Sequence, residues 1–310
     1  MKTRIPSYAN DLGLTLLPPS SRPPSVTFPE PFAAVNCKIA ADDLWIVTGT
    51  YNSGNPAASA CNVRRINPHT FATIAVIPIV GWAHCIETSP GKVWVSCING
   101  DTVYRIDIAT NVVDATIIGV TAAGGMAYGN GVLVVSNRTT GTATLIDAAT
   151  ATVTTTVTVG SVPFFPGFDG ANFYIPNFSS NTVTKIDTAG NVLATINVGA
   201  QPFCYLSDGT LGLVSNYSGT VSVIDEATDA VIATWGSANN AGNHFISLVG
   251  NEAWITESNN DVIRVYDRLT GNALRAIATG DDPAALAFNF IDVFSIDYYD
   301  AKLRRHNVGG

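Results

Sequence analysis

The stretch FYIPNFSSNTVTKIDTAGNVLATINVG, Phe173 to Gly199, holds three short runs in which apolar and polar residues alternate, separated by FSSN and TAGN. Alternation with a period of two is the mark of a strand with one face buried, and Ser, Asn and Gly clusters of this length make hairpin turns. The third-strand ending Ile186-Asp187 has counterparts at Ile66-Asn67, Ile106-Asp107, Ile146-Asp147, Ile224-Asp225 and Tyr266-Asp267, spaced about forty residues apart. A second marker precedes the last five of these six, in chain order, by about thirteen residues: VWVSCIN from Val93, LVVSNRT from Leu133, FYIPNFS from Phe173, GLVSNYS from Gly212 and AWITESN from Ala253. LWIVTGT from Leu44 and VFSIDYY from Val293 bring the copies to seven. Adding PFFPGF, from Pro163, gives four strands to the unit. Four antiparallel strands per repeat, with two apolar faces and no partner inside the repeat, predict an all-β, seven-bladed β-propeller.

Ring closure is legible as well. The last unit supplies only PAALAFNF, VFSIDYY and KLRRHNV, and the spacing places Ser25 to Phe28 where its outer strand is missing. An N-terminal strand is therefore expected to close the last blade and cover its edge. The chain divides into an arm, residues 1–24, and a single propeller domain, residues 25–310.

The repeat is similar to the YVTN-type β-propeller repeat, a relative of the NHL-like and virginiamycin B lyase-like propellers, over roughly residues 25 to 308. VSVIDEAT, Val221 to Thr228, is its closest stretch, while YVTN itself is loosened to WIVT, VWVS and AWIT. The resemblance implies a fold that serves many functions. Lyase and lactonase relatives hold a divalent metal at the mouth of the axial channel, and on that pattern His84, His244 and Glu257 are the candidate ligands, with Mg or Ca as the ion.

Composition narrows the rest. The net charge is −8, with 16 Lys and Arg against 24 Asp and Glu, which argues against a phosphate-binding surface and hence against a nucleic-acid partner. No apolar run reaches membrane-spanning length, and the N-terminus has no apolar signal-peptide core, so a soluble protein of a virion or the cytoplasm is expected. The five cysteines are scattered without metal spacing and read as small buried hydrophobes, with one or two chance bridges at most. The recurring Asp suits the turn that follows it, and Asn137-Arg138-Thr139, Asn177-Phe178-Ser179 and Asn216-Tyr217-Ser218 repeat one turn position rather than marking glycan acceptors.

Aligned on their second strands, the units place Val35, His84, Gly124, Phe164, Phe203, His244 and Ala284, on the innermost strands, at one level of the mouth, with Lys38 and Glu87 ion-paired on adjacent blades below. No HExxH, GxSxG or CxxC spacing occurs. The favoured reading is a non-catalytic recognition or assembly module that needs no cofactor, a structural component of a larger particle such as a virion, with a protein partner or a further copy as its ligand. Phe164, Phe203, His84 and His244 are its candidate binding residues at the mouth. Tyr51 and Asn55 add a second candidate surface in an inserted loop, since long loops on rigid scaffolds tend to carry recognition. Leu12, Leu14, Leu16 and Leu17 make the arm a candidate assembly contact. The alternative is a metal-dependent lyase or lactonase.

Overall fold

The structure, a computed structural model, describes residues 24–28, 36–50, 59–236 and 239–308. They form seven four-stranded antiparallel sheets, each strand pairing with the next in sequence, so that the chain runs from the axis outward in every blade. The exception is the closing blade, where Ser25–Thr27 pairs with Lys302–Asn307 in the register Ser25↔Arg304, Val26↔Leu303 and Thr27↔Lys302. The arm residues 1–23 and the inserted loop 51–58, with Leu12, Leu14, Leu16, Leu17, Tyr51 and Asn55, lie outside the described residues.

The blades stack through the side chains that the alternation turns inward. Leu133, Val135 and Ile146 of the third blade pack with Cys85, Trp94 and Val103 of the second, while Val134 and Leu145, on the opposite face, pack with Phe173 and Ile175 of the fourth. Each central strand is thus buried on both faces. That is why a single blade cannot stand alone and the ring has to close. All five cysteines are free and buried in these seams. Burial pushes the thiols of Cys37, Cys85 and Cys204 up to about 12, which makes them inert packing groups.

The turn reading of the repeated Asp holds. Oδ1 of Asp107, Asp147, Asp225 and Asp267 accepts a backbone N–H three residues on, at 2.9, 2.8, 3.0 and 2.8 Å. The Asn side chains of the three Asn-x-Ser/Thr sequences are buried and donate to hydroxyls of the neighbouring strand, Asn137 to Thr144 at 2.9 Å, Asn177 to Thr184 at 2.9 Å and Asn216 to Ser222 at 3.0 Å.

One blade departs from the repeat. The fourth keeps only Gly167–Phe168 of its innermost strand. Pro163 and Pro166 have no N–H for a ladder, and Phe165 instead exchanges backbone hydrogen bonds with the fifth blade, donating to Phe203 at 3.0 Å and accepting from Tyr205 at 3.1 Å.

Candidate functional site

The level predicted from the alignment is a ring of β-bulges. The register of the innermost pair slips at His84, at Gly124 and Gly125, at Phe203, at His244 and Phe245, and at Ala284. A bulged residue leaves the alternation of its strand and is re-aimed, which is how side chains that would otherwise enter a seam reach the mouth. Val35 lies outside the described residues. The slip is held from the second strand by a hydroxyl at one repeat position. Ser96 donates to the Gly124 carbonyl, Ser215 accepts from Cys204 N–H, and Thr256 accepts from Phe245 N–H. Ser136, facing the irregular fourth blade, finds no partner among the described residues.

A second layer sits above the first. The residue following each second strand, Ile98, Arg138, Phe178, Tyr217, Ser258 and Tyr298, donates its backbone N–H to the carbonyl two residues ahead of a mouth-level residue, at 2.8–3.3 Å. All six are half-buried and surround the mouth on the face formed by the turns between second and third strands.

Together the layers make an aromatic plug. Ring centroids lie 4.6 Å apart for Phe164 and Phe203, and 4.5 Å for Phe203 and His244. His84 stacks on Phe165 at 5.3 Å, and Phe178 and Tyr217 cover Phe164 and His244 at 5.1 and 5.4 Å. Such pairs are worth about 0.5–1.5 kcal/mol each beyond the area they bury. Burial first, and the nearby Arg138 charge second, push His84 down to about 3, and burial takes His244 down to about 4. Both imidazoles are therefore neutral near pH 7. Below them Lys38 and Glu87 meet at 2.9 Å, the ion pair the alignment predicts.

Four of the candidate residues, His84, Phe164, Phe203 and His244, are thus brought to one mouth. Glu257 is not. It shares a repeat position with Asn137, Asn177 and Asn216, and its buried carboxylate accepts from Arg264 at 2.6 and 2.9 Å and from Asn260 at 2.8 Å. Among the described residues no group of three or more His, Cys, Asp or Glu side chains is placed to hold a metal ion, so the proposed ligand set is not assembled.

Arg138 is the mouth residue that reading the innermost strand alone misses. A Cβ on Gly124 would stand 2.9 Å from Arg138 Cγ, so the position that looks blank in sequence is filled by the arginine stem. The guanidinium lies 4.3 Å above the Phe164 ring, and its Nη1 is 3.3 Å from His84 Nε2. An arginine can only donate, so Nε2 holds the lone pair and the imidazole proton sits on Nδ1. The signal was available, because Arg138, Phe178 and Tyr217 occupy the middle of the three Asn-x-Ser/Thr sequences.

The fold is shared with solved structures of distant sequence. The chain is similar to Kuenenia stuttgartiensis hydrazine synthase, with a TM-score of 0.74 and 14% identity over 92% of this chain and 97% of that one. It is also similar to a chain of the crystal structure of the mitotic checkpoint complex, with a TM-score of 0.78 and 13% identity over 95% and 98% of the two chains. No protein-family model matches, and no curated protein matches in sequence. The likeness at this identity is one of fold, a seven-bladed β-propeller, an architecture often used for protein–protein interaction. It carries no membership of the YVTN, NHL or virginiamycin B lyase families. No helix among the described residues is long and apolar enough to cross a membrane.

Proposed function

We propose that this chain is a non-catalytic recognition module whose protein partner docks on the face carrying the aromatic mouth. The observation that supports it is the double ring itself: half-buried Phe178, Tyr217 and Arg138 standing over stacked Phe164, Phe203 and His244. Aromatic residues and arginine are the side chains that dominate binding energy at interfaces, and here they are held rigid by backbone hydrogen bonds from the framework. Neither histidine is hydrogen-bonded to an orienting carboxylate among the described residues: His84 faces a cation, and His244 Nδ1, 3.9 Å from Asp282, makes no hydrogen bond to it. The alternative, a metal-dependent lyase or lactonase, would require ligands that the described residues of the mouth do not assemble.

The reading extends to assembly within a larger particle. Leu12, Leu14, Leu16 and Leu17 of the arm, and Tyr51 and Asn55 of the inserted loop, are the proposed further contacts. A photo-crosslinking residue placed at Thr139, on the mouth face, should capture a discrete protein adduct in the native cell, and one at Asn130, in a turn of the opposite face, should not. The absence of an adduct from Thr139 would overturn the proposal. For the arm, removal of residues 1–22 should leave a folded ring that no longer assembles, read by light scattering beside circular dichroism.

A further inference from the structure

Most arginines among the described residues are matched to a carboxylate. Arg65, Arg105, Arg264, Arg268, Arg275, Arg304 and Arg305 each lie within an ion pair, with Asp43, Asp114, Glu257, Asp208, Glu252, Asp297 and Asp292. Arg138 has none among the described residues. Its polar contact is the neutral imidazole of His84, and its Nε, shielded from solvent, has no hydrogen-bond partner. Desolvation lowers its pKa, the direction for a cation whose environment offers no counter-charge. In a chain with net charge −8, this position is without an anion among the described residues.

Arg138 lines a groove of about 950 Å³ between the second, third and fourth blades. Beside Arg138 its walls carry Ile98, Ala122, Val159 and Val162, with hydroxyls from Thr139 and Ser161. The stem is fixed on both sides: Gly124 leaves room for it beneath, and Phe164 supports the guanidinium plane. This is a fixed cationic donor with an apolar wall beside it.

We infer that Arg138 anchors a carboxylate of the docking partner, an Asp or Glu side chain or a C-terminus, whose apolar neighbour lies along the groove. One cation matches a monoanion. A phosphate, carrying close to two charges, would leave the site negatively charged with no second cation among the residues lining the groove. The inference rests on the recognition reading above and names the chemistry that the mouth face selects.

The first test uses 3-phenylpropionate against 3-phenylpropionamide, followed by saturation-transfer NMR and calorimetry in the millimolar range open to ligands of this size. The acid is expected to bind about tenfold or more tightly than the amide, the advantage of a charge-assisted hydrogen bond. Arg138→Met should abolish that preference and Arg138→Lys should weaken it. Inorganic phosphate should compete poorly. Because the arginine is an unpaired, partly desolvated cation, Arg138→Met should melt at or above the wild-type temperature, whereas a purely structural arginine would melt lower when removed. Equal binding of acid and amide, or a preference that survives Arg138→Met, overturns the inference.

The second test asks where the carboxylate comes from. Arg138→Met should remove the Thr139 crosslink in the cell. A crosslink that persists in this variant while the acid preference is lost overturns the assignment to the partner and assigns the site to a free acid. A wild-type crosslink without any acid preference sinks the inference alone; no wild-type crosslink sinks the recognition reading.

Discussion

The hydroxyl of Ser215 donates to the carbonyl of His244 at 2.5 Å, from the fifth blade to the bulge of the sixth. The same oxygen accepts from Cys204 N–H of its own blade at 3.2 Å. One side chain therefore fixes two bulges, and through them the level at which Phe203 and His244 stack. Ser215→Ala should cost about 1–3 kcal/mol, because it leaves a buried N–H without a partner. Ser215→Thr should lie within about 1 kcal/mol of wild type, since Thr256 does the same work one blade on. Denaturant unfolding of the two variants decides it, and equal losses would show that the hydroxyl is not the stabilising group.

Stability should fall on mild acidification. His84, His244 and His306 are held at about 3, 4 and 4, in each case chiefly by burial, below the ordinary value of 6.5. A folded-state pKa below the unfolded one means that the unfolded chain takes up the proton first. The stability these neutral imidazoles contribute is complete above about pH 6.5 and is lost as the pH drops toward 4, with a limiting slope of about 1.4 kcal/mol per pH unit for each. The raised carboxyls Glu226, Asp282 and Asp297 act in the opposite sense and offset the loss only as the pH nears the carboxylate range. Unfolding free energies between pH 7.5 and 5 should decline, and His84→Gln and His306→Gln should each flatten the decline. Slopes unchanged in both variants would rule out the histidines as its source.

The period and the closure of the ring were legible because both rest on backbone needs that recur in every unit: alternation, turn residues and a missing fourth strand. The mouth was legible only in part. Aligning the units on their second strands recovers His84, Phe164, Phe203 and His244, because the distance from the second strand back to the mouth level is kept from blade to blade. Arg138 escapes that alignment, since its side chain fills the space of Gly124 from the turn after the second strand, fourteen residues later in sequence. The broken strand of the fourth blade was written in Pro163, Pro166 and Pro176, and three prolines in one strand pair argue against a regular ladder. Glu257 looked like a ligand as an isolated acid. In its column, beside three asparagines, it is a strand-bridging residue.

The closing strand gives a sharper mechanical test. Besides its three ladder pairs, Phe28 is buried, its N–H donates to Ala301 at 3.0 Å, and Pro24 accepts from Arg305 N–H at 2.8 Å. Removing residues 1–28 uncovers Leu303 and a bare strand edge, a loss on the order of several kcal/mol. Removing residues 1–22 leaves every one of these contacts in place. The longer truncation should melt well below the shorter; identical melting temperatures would refute the role assigned to Ser25–Thr27.

The column that holds Glu257 allows a test of whether the blades are interchangeable parts. Asn137–Thr144 and Asn177–Thr184 bridge second and third strands with a neutral hydrogen bond, and Glu257–Arg264 bridges the same positions with a charge pair. Arg264→Thr alone strands a carboxylate whose side chain is 4% exposed and should cost about 3–5 kcal/mol. Glu257→Asn alone leaves Arg264, 32% exposed, free to turn toward water, so its loss should be the smaller. The double variant Glu257→Asn with Arg264→Thr installs the pair of the third and fourth blades and should recover most of the difference, a coupling of about 2 kcal/mol or more between neighbouring sites. If the two losses simply add, the column is not a bridge between strands, and Glu257 is retained for some other partner. Recovery in the double variant would instead mean that the sixth blade uses charge where its neighbours use an amide, with the architecture indifferent to which.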